Sequence, residues 1–450
     1  MKPSPVVGFW GPARLTATGF ILLILAGTVA LMLPFAAHGQ TWTPLMPAVF
    51  TATSAVSLTG LVVEDTATYW TPFGQVVILI LIQLGGLGIM SVASLSGMVI
   101  TGRISLRARG RGAAEGRPIS AGGIRRSLVF TLAFTLIAEG VVAFILWLRF
   151  WLGYGHTPLR AAWEGVFHAV SAFNNAGFST QSDNAVPFAA DAWVLLPLAV
   201  AFIGGGLGYP VWSEAASWLR HGAWRTQVWS LTAKFTFFAT ATLLTIGALF
   251  FALCEWNGVL AGMPLWQKLL NAFFAGASPR TAGFNAIDYA DAQPITLMGT
   301  DVLMFIGGGS AGTAGGIKVT TACVLFAAMA SEFRGWEETS VGKRSLPSSV
   351  SRQALALTFA GASVVTLGVG VLRVFDPQFS ADQVVFEVMS AFATVGLSTG
   401  ITGALSVPSQ IVLCFIMYLG RIGPVTLVTA LALSGAHRRF SYPEERPFIG

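Results

Sequence analysis

Apolar stretches of two lengths alternate along the chain. Four runs, at about 13–36, 125–152, 228–256 and 350–374, are long enough to cross a hydrocarbon core of ~30 Å as helices. Each is followed by a shorter apolar segment, at about 44–56, 160–173, 265–277 and 381–392, which is too short to cross. Every short segment runs into a polar turn containing glycine, and another long apolar run follows, at about 72–102, 192–219, 295–333 and 408–436. A short helix ending in irregular backbone at membrane depth predicts a re-entrant segment. Such backbone is tolerated there only where it is buried in protein or lines water. The pattern predicts an all-α integral membrane protein with eight transmembrane crossings and four re-entrant loops.

The four short segments align with one another over twelve columns without a gap. They read FTATSAVSLTGL from Phe50, FHAVSAFNNAGF from Phe167, FFAGASPRTAGF from Phe273 and FEVMSAFATVGL from Phe386. The recurring glycines are Gly60, Gly177, Gly283 and Gly396, each a little more than a hundred residues from the last. Four such units predict four pseudo-repeats of membrane helix, pore helix with filter loop, and membrane helix around one central pore. The candidate ion-binding turns are Ser57, Leu58, Thr59 and Gly60; Asn174, Asn175, Ala176 and Gly177; Arg280, Thr281, Ala282 and Gly283; and Ala393, Thr394, Val395 and Gly396. A cation leaving water needs replacement oxygens, and neutral backbone carbonyls supply them without trapping it. Glycine reaches the backbone conformations that turn successive carbonyls toward an axis, and it leaves the axis open. A helix C-cap would also explain one such glycine; four copies at equivalent places favour the pore.

Composition agrees with the apolar pattern. Hydrophobic residues make up 54% of the 450-residue chain and charged ones only 10%, against about 25% charged in soluble domains. The first apolar run is longer than the apolar region of a typical signal peptide, so none is expected. Cys254, Cys323 and Cys414 lie singly in apolar runs and read as packing residues. The net charge of +6 is topological rather than a nucleic-acid footprint. Arg103, Arg107, Arg109, Arg111, Arg117, Arg125 and Arg126 cluster in one connection, with further basic clusters at 220–225, 334–352 and 438–446. Acidic residues (Glu64, Asp65, Asp183, Asp191, Asp288 and Asp291) follow the glycine turns instead. The positive-inside rule then puts both termini in the cytoplasm and the turns toward the outside of a multi-pass inner (plasma) membrane protein. The expected division is repeat 1 over 1–102, a basic cytoplasmic linker over 103–123, repeat 2 over 124–219, repeat 3 over 220–333, a cytoplasmic linker over 334–349, repeat 4 over 350–436 and a tail over 437–450.

The last span of repeat 3 is interrupted by Gly307, Gly308, Gly309, Ser310, Ala311, Gly312, Thr313, Ala314, Gly315 and Gly316. Six glycines in ten residues do not hold an ordinary helix. A phosphate-binding loop is the competing reading, disfavoured because Ile317 separates Gly316 from Lys318 and no soluble strand precedes it. A flexible loop beneath the four turns is placed to block ions, and 307–316 is the candidate gate. Arg421 lies inside the last span, where a guanidinium costs at least ~2.5 kcal/mol unless it meets a cavity or a partner. Glu139, mid-span in repeat 2, reads as a hydrogen-bonded brace, with proton coupling the alternative. Arg280 reads as a brace for the filter backbone. The five histidines form no metal set and no catalytic constellation appears, so chemistry on a covalent bond is not expected.

The turns SLTGL, NNAGF, RTAGF and TVGLSTGIT resemble the four selectivity-filter segments of the Trk/Ktr/HKT superfamily of cation transporters, over essentially the whole chain. Within it the chain is most similar to the membrane subunit of the Ktr potassium uptake system, in its compact length and its YPEER ending. The resemblance implies potassium as substrate, sodium as a possible activator and no organic cofactor. It also implies a homodimer with one pore per protomer and a cytosolic ring of RCK/KTN-type nucleotide-binding regulatory subunits. By the same resemblance, 307–316 is the intramembrane gating loop and Arg421 the basic residue that contacts it. Some plant relatives carry Ser at the position of Gly60, which is associated with sodium preference. Glycine in all four repeats here favours potassium over the alternative, a sodium-selective or poorly selective HKT-like carrier.

Overall fold

The computed structural model describes residues 12–39, 42–88, 121–221, 229–310, 312–336, 338–341 and 344–423. Most of the basic linker 103–123, the tail 437–450 and gate residue Ala311 lie outside the described residues. Among the described residues, fourteen α-helices account for 69%. The first unit comprises α1 (Pro12–Met32), α2 (Leu45–Ser57) and α3 (Pro72–Gly88). The second comprises α4 (Ala121–Tyr154), α5 (Pro158–Phe173), α6 (Ala192–Leu207) and α7 (Tyr209–His221). The third comprises α8 (Leu231–Glu255), α9 (Leu265–Ala277), α10 (Pro294–Phe305) and α11 (Val319–Phe333). The fourth comprises α12 (Ser348–Phe375), α13 (Ala381–Ala393) and α14 (Val407–Ile422).

Helix boundaries follow local chemistry. Thr157, Asp191, Ser230 and Ser380 cap the starts of α5, α6, α8 and α13 by accepting backbone N–H bonds, and Ser380 forms a full capping box with Gln383. The short helices end where a residue turns left-handed: Leu58 after α2 and Thr394 after α13. Among the described residues three helices are long and apolar enough to cross a membrane by themselves: Val129–Tyr154, Leu231–Glu255 and Ser348–Phe375. Only 33%, 17% and 22% of their apolar windows are buried, so these helices present most of their apolar surface outward.

The span 192–219 is not one helix, because α6 stops at Leu207 and the chain turns at Gly208 (φ 82°) before α7. The linker 334–349 carries a minimal antiparallel pair, β1 (Ser340–Val341) with β2 (Arg344–Ser345). In the anticipated place, α10 ends at Phe305 and the chain resumes helix only at Val319.

Packing follows the repeats. Each first span packs on its own short helix: α1 on α2, α4 on α5, α8 on α9 and α12 on α13. The second spans reach forward, α6 to α9 and α10 to α13, and α14 returns to α2. The Trp163 indole of α5 likewise donates to the Gln75 side chain of α3 at 2.9 Å. Tyr418 near the end of α14 donates to the Ala17 carbonyl of α1 at 2.9 Å, so the contacts close into a ring. The short helices lie inside it. Their opening aromatics Phe50, Phe167 and Phe386 and the closing residues Leu61, Phe178, Phe284 and Leu397 are almost wholly buried. In the third repeat Phe274, rather than the aligned Phe273, takes the buried place.

Candidate functional site

The four glycines meet. A Cβ built on Gly60 would sit 3.0 Å from the Gly177 Cα, one on Gly177 would sit 3.0 Å from the Gly283 Cα, and one on Gly283 would sit 3.4 Å from the Gly396 Cα. The circuit closes with Gly396, whose Cβ would lie 3.0 Å from the Gly60 Cα. Each glycine also faces the carbonyl that precedes the next repeat's glycine: Gly60 faces Ala176, Gly177 faces Ala282, Gly283 faces Val395 and Gly396 faces Thr59. All four have φ between 71° and 93°. Both the conformation and the space therefore demand glycine.

A second left-handed residue precedes each glycine by two positions: Leu58, Asn175, Thr281 and Thr394, with φ of 57°, 57°, 68° and 50°. A left-handed residue, an ordinary one and a left-handed glycine recur in all four turns. That alternation re-aims successive peptide planes, and outside glycine it carries strain that the surroundings must hold. The hold comes from serines that sequence reasoning passed over. Ser54 and Ser390 accept from the glycine N–H of their own turns, both at 3.0 Å. Ser171 donates to the Phe178 carbonyl at 2.7 Å, and Ser278 donates to that of Phe284. Ser54, Ser171 and Ser390 share one alignment column; repeat 3 has Ala277 there and uses the next residue. The column was the available signal.

In the column Ser57, Asn174, Arg280 and Ala393, the three polar members serve as anchors. Ser57 pairs with the Thr59 hydroxyl at 2.7 Å. Asn174 donates to Glu139 at 2.9 Å and to Gln83 at 3.1 Å. The Arg280 guanidinium reaches the Thr240 carbonyl and hydroxyl in α8, both at 3.1 Å, so it ties its turn to a spanning helix. Glu139 also accepts from Gln83 at 3.4 Å and joins α3, α4 and the second turn. As a brace, it predicts that Glu139→Gln, which keeps an acceptor for Asn174, retains most cation uptake. Glu139→Ala, which leaves buried donors unpaired at about 1–3 kcal/mol, should lower it several-fold in the same tracer assay.

Two of the left-handed residues, Asn175 and Thr394, meet the glycine-rich loop. The Asn175 amide and the Thr313 hydroxyl are hydrogen-bonded at 2.9 Å. A Cβ on Gly315 would lie 2.9 Å from the Thr394 Cβ, and one on Gly316 3.2 Å from the Ala393 Cα. The loop is pinned to α6 by Gly309 N–H on the Gly206 carbonyl at 2.8 Å, and closed on itself by Gly307 N–H on the Ile317 carbonyl at 2.8 Å. Two basic side chains hold adjacent loop carbonyls: Arg421 that of Thr313, and Lys318 that of Ala314. Lys318 in this role was not legible in the sequence.

Arg421 is buried, at 5% exposure, and its Nε and second terminal nitrogen have no partner among the described residues. It stands in a column of its own. Gly85, Gly205 and Gly420 press on the carbonyls of Val56, Phe173 and Phe392, where no Cβ fits. The next residues are Gly86, Gly206 and Arg421. Repeat 4 thus carries a guanidinium where repeats 1 and 2 carry glycine.

The carboxylates beyond the turns are mostly committed to loop structure. Asp65 accepts from Ala67 N–H at 2.9 Å, Thr68 at 2.8 Å and Ser182 at 2.6 Å. Asp288 accepts from Ala290 N–H at 2.9 Å, and Asp191 caps α6 while pairing with Arg149 at 2.7 Å. Glu64 makes no such bond among the described residues, and partial burial raises its carboxyl above the ordinary value. Among the described residues no group of His, Cys, Asp and Glu is arranged to hold a metal ion.

The TrkH family, described as cation transport proteins, matches residues 15–437. The chain belongs to that family. Among relatives, it is 37% identical to the Ktr system potassium uptake protein B of Bacillus subtilis, covering 98% of this chain and 97% of that protein. It is 34% identical to the potassium/sodium uptake protein NtpJ of Enterococcus hirae, covering 98% and 97%. A solved structure, the potassium transporter TrkH from Vibrio parahaemolyticus, superposes with a TM-score of 0.74 at 19% identity, covering 96% of this chain and 87% of that one. The fold is therefore that of the TrkH transporter, and the chain is a membrane transporter rather than an enzyme.

Proposed function

We propose that the chain conducts potassium through the ring of the four turns. The observation that carries this reading is the mutual contact of Gly60, Gly177, Gly283 and Gly396, with a preceding carbonyl from each repeat beside it. Four short helices run C-terminus first into the ring, and each helix end carries roughly half a negative charge, which favours a cation there. Potassium sheds water at the outer mouth, is held by carbonyls of the four turns and passes inward to the loop 307–316, driven by the membrane potential. The loop closes the path, with Arg421 and Lys318 as its latches. We place four repeats with eight crossings around this path, with both termini in the cytoplasm.

The Ktr and NtpJ names of the relatives support potassium as the ion, and NtpJ brings sodium into view. The Ktr relatives also support a partner subunit. We take that partner to be a cytosolic RCK/KTN-type nucleotide-binding ring, docked on a homodimer of this chain, with sodium as activator. The test is rubidium and sodium uptake in cells lacking their own potassium uptake. Rubidium uptake inhibited by potassium is expected; uptake of sodium alone would overturn the reading. In the same assay Gly60→Ser should lower potassium-over-sodium preference about tenfold. Its Cβ would press on the Ala176 carbonyl and sit 3.0 Å from the Gly177 Cα, a crowding of roughly 1–3 kcal/mol.

A further inference from the structure

Beyond the four turns, the segment after the second filter reaches back to the ring. The Asn184 side-chain amide donates to the Gly177 carbonyl of its own repeat at 3.2 Å and to the Gly283 carbonyl of the next at 3.3 Å. Its orientation is fixed by chemistry: swapping the amide would set its oxygen against two carbonyl oxygens. The adjacent Ala185 N–H donates to the Asn285 carbonyl at 3.1 Å, a second tie across the same seam. Asn184 holds a left-handed conformation (φ 54°), its N–H bonds the Gln181 carbonyl at 3.2 Å, and its own carbonyl accepts from Ser179 at 3.3 Å. Ser179 in turn bonds His168 of α5 at 2.9 Å, which secures the clamp to a buried helix. Among the described residues no hydrogen bond reaches the carbonyl of Gly60 or Gly396. The seam between repeats 2 and 3 is thus fastened at the glycine carbonyls themselves.

We propose that Asn184 is a specificity-determining positioning residue, whose amide fixes the spacing of the second and third filter turns. The inference rests on the potassium reading above. Ion preference in a carbonyl cage depends on how many oxygens surround the ion and how firmly they are held. A donor shared by two of those carbonyl groups sets their separation and draws down the charge they offer. With the clamp gone, that half of the ring adjusts to a smaller ion as readily as to a larger one.

Asparagine, aspartate and glycine all accept φ near 54°, which separates the amide from the turn. The experiment is rubidium uptake, with sodium as competitor, by the full-length chain and its Asn184→Gly and Asn184→Asp variants in proteoliposomes. Each sample is first shown to elute as wild type. Both variants lose the donor and keep the turn, so each should lose about tenfold in rubidium-over-sodium preference, the scale of one or two net hydrogen bonds. Total uptake should change less than the preference does. Asn184→Gln, which keeps a donor on a longer arm, should recover part of the preference. Wild-type preference in both the glycine and aspartate variants would overturn the inference alone. Wild-type protein that takes up sodium and not rubidium would overturn the potassium reading, and this inference with it.

Discussion

Replacing Gly283 by alanine should abolish measurable potassium uptake, with a fall of at least about a hundredfold, while the protein still inserts and elutes normally. Gly283 touches the turns on both sides. Its Cβ would run into the Val395 carbonyl while lying 2.9 Å from the Gly177 Cα and 3.4 Å from the Gly396 Cα. Crowding of this kind costs roughly 1–3 kcal/mol. The left-handed backbone (φ 72°) adds about 1–2 kcal/mol once a side chain is present. About 1.4 kcal/mol is a factor of ten in rate, so two or three such increments in the glycine ring remove measurable uptake. Rubidium uptake with a surface-expression control measures this. Uptake within threefold of wild type would mean that the glycine ring does not line the path.

Replacing Arg421 by alanine should have the opposite sign: flux rises about tenfold and ion preference holds. Arg421 grips the Thr313 carbonyl and leaves two buried donors without partners among the described residues. Its positive charge therefore sits beside the loop with no ion-pair partner among the described residues. A cation passing within several ångströms meets a repulsion of the order of 1–3 kcal/mol at intermediate dielectric. Removing the guanidinium takes away both that barrier and the latch on the loop. On the proposed reading selectivity belongs to the four turns, which Arg421 does not touch by any hydrogen bond among the described residues. Arg421→Lys should sit between the two, because lysine keeps the charge without the planar fork. The measurement is initial uptake rate against rubidium-to-sodium preference; unchanged flux in the alanine variant would remove Arg421 from the gate.

The site was legible where one residue type had to satisfy a constraint by itself. No other residue meets the backbone and space requirements of Gly60, Gly177, Gly283 and Gly396, so the column stood out. The glycine density of 307–316 likewise signals an interrupted helix, and the structure has 306–310 and 312–318 outside regular helix. Less legible were features whose meaning depends on a partner distant in sequence. Ser54, Ser171 and Ser390 are ordinary serines until the turns fold back on them. Asn184 sits in a polar loop that looks unremarkable without the neighbouring repeat. The alignment of Arg421 with Gly86 and Gly206 was present in the chain, yet the break at Gly208 shows how weakly one glycine pair announces the end of a helix.

Alternating long and short apolar runs, with one glycine turn four times repeated, were determined by the sequence alone. Membrane length, helix period and the conformational demands of glycine are local properties that need no knowledge of neighbours. Tertiary structure alone decided that the four glycines pack Cα against Cα in a closed circuit and that α14 returns to α2. It also decided that Arg280 reaches α8 rather than its own turn, and that Arg421 and Lys318 hold adjacent loop carbonyls. The reason is physical: a carbonyl has no identity in the sequence, and what it meets depends on how the other repeats close around it.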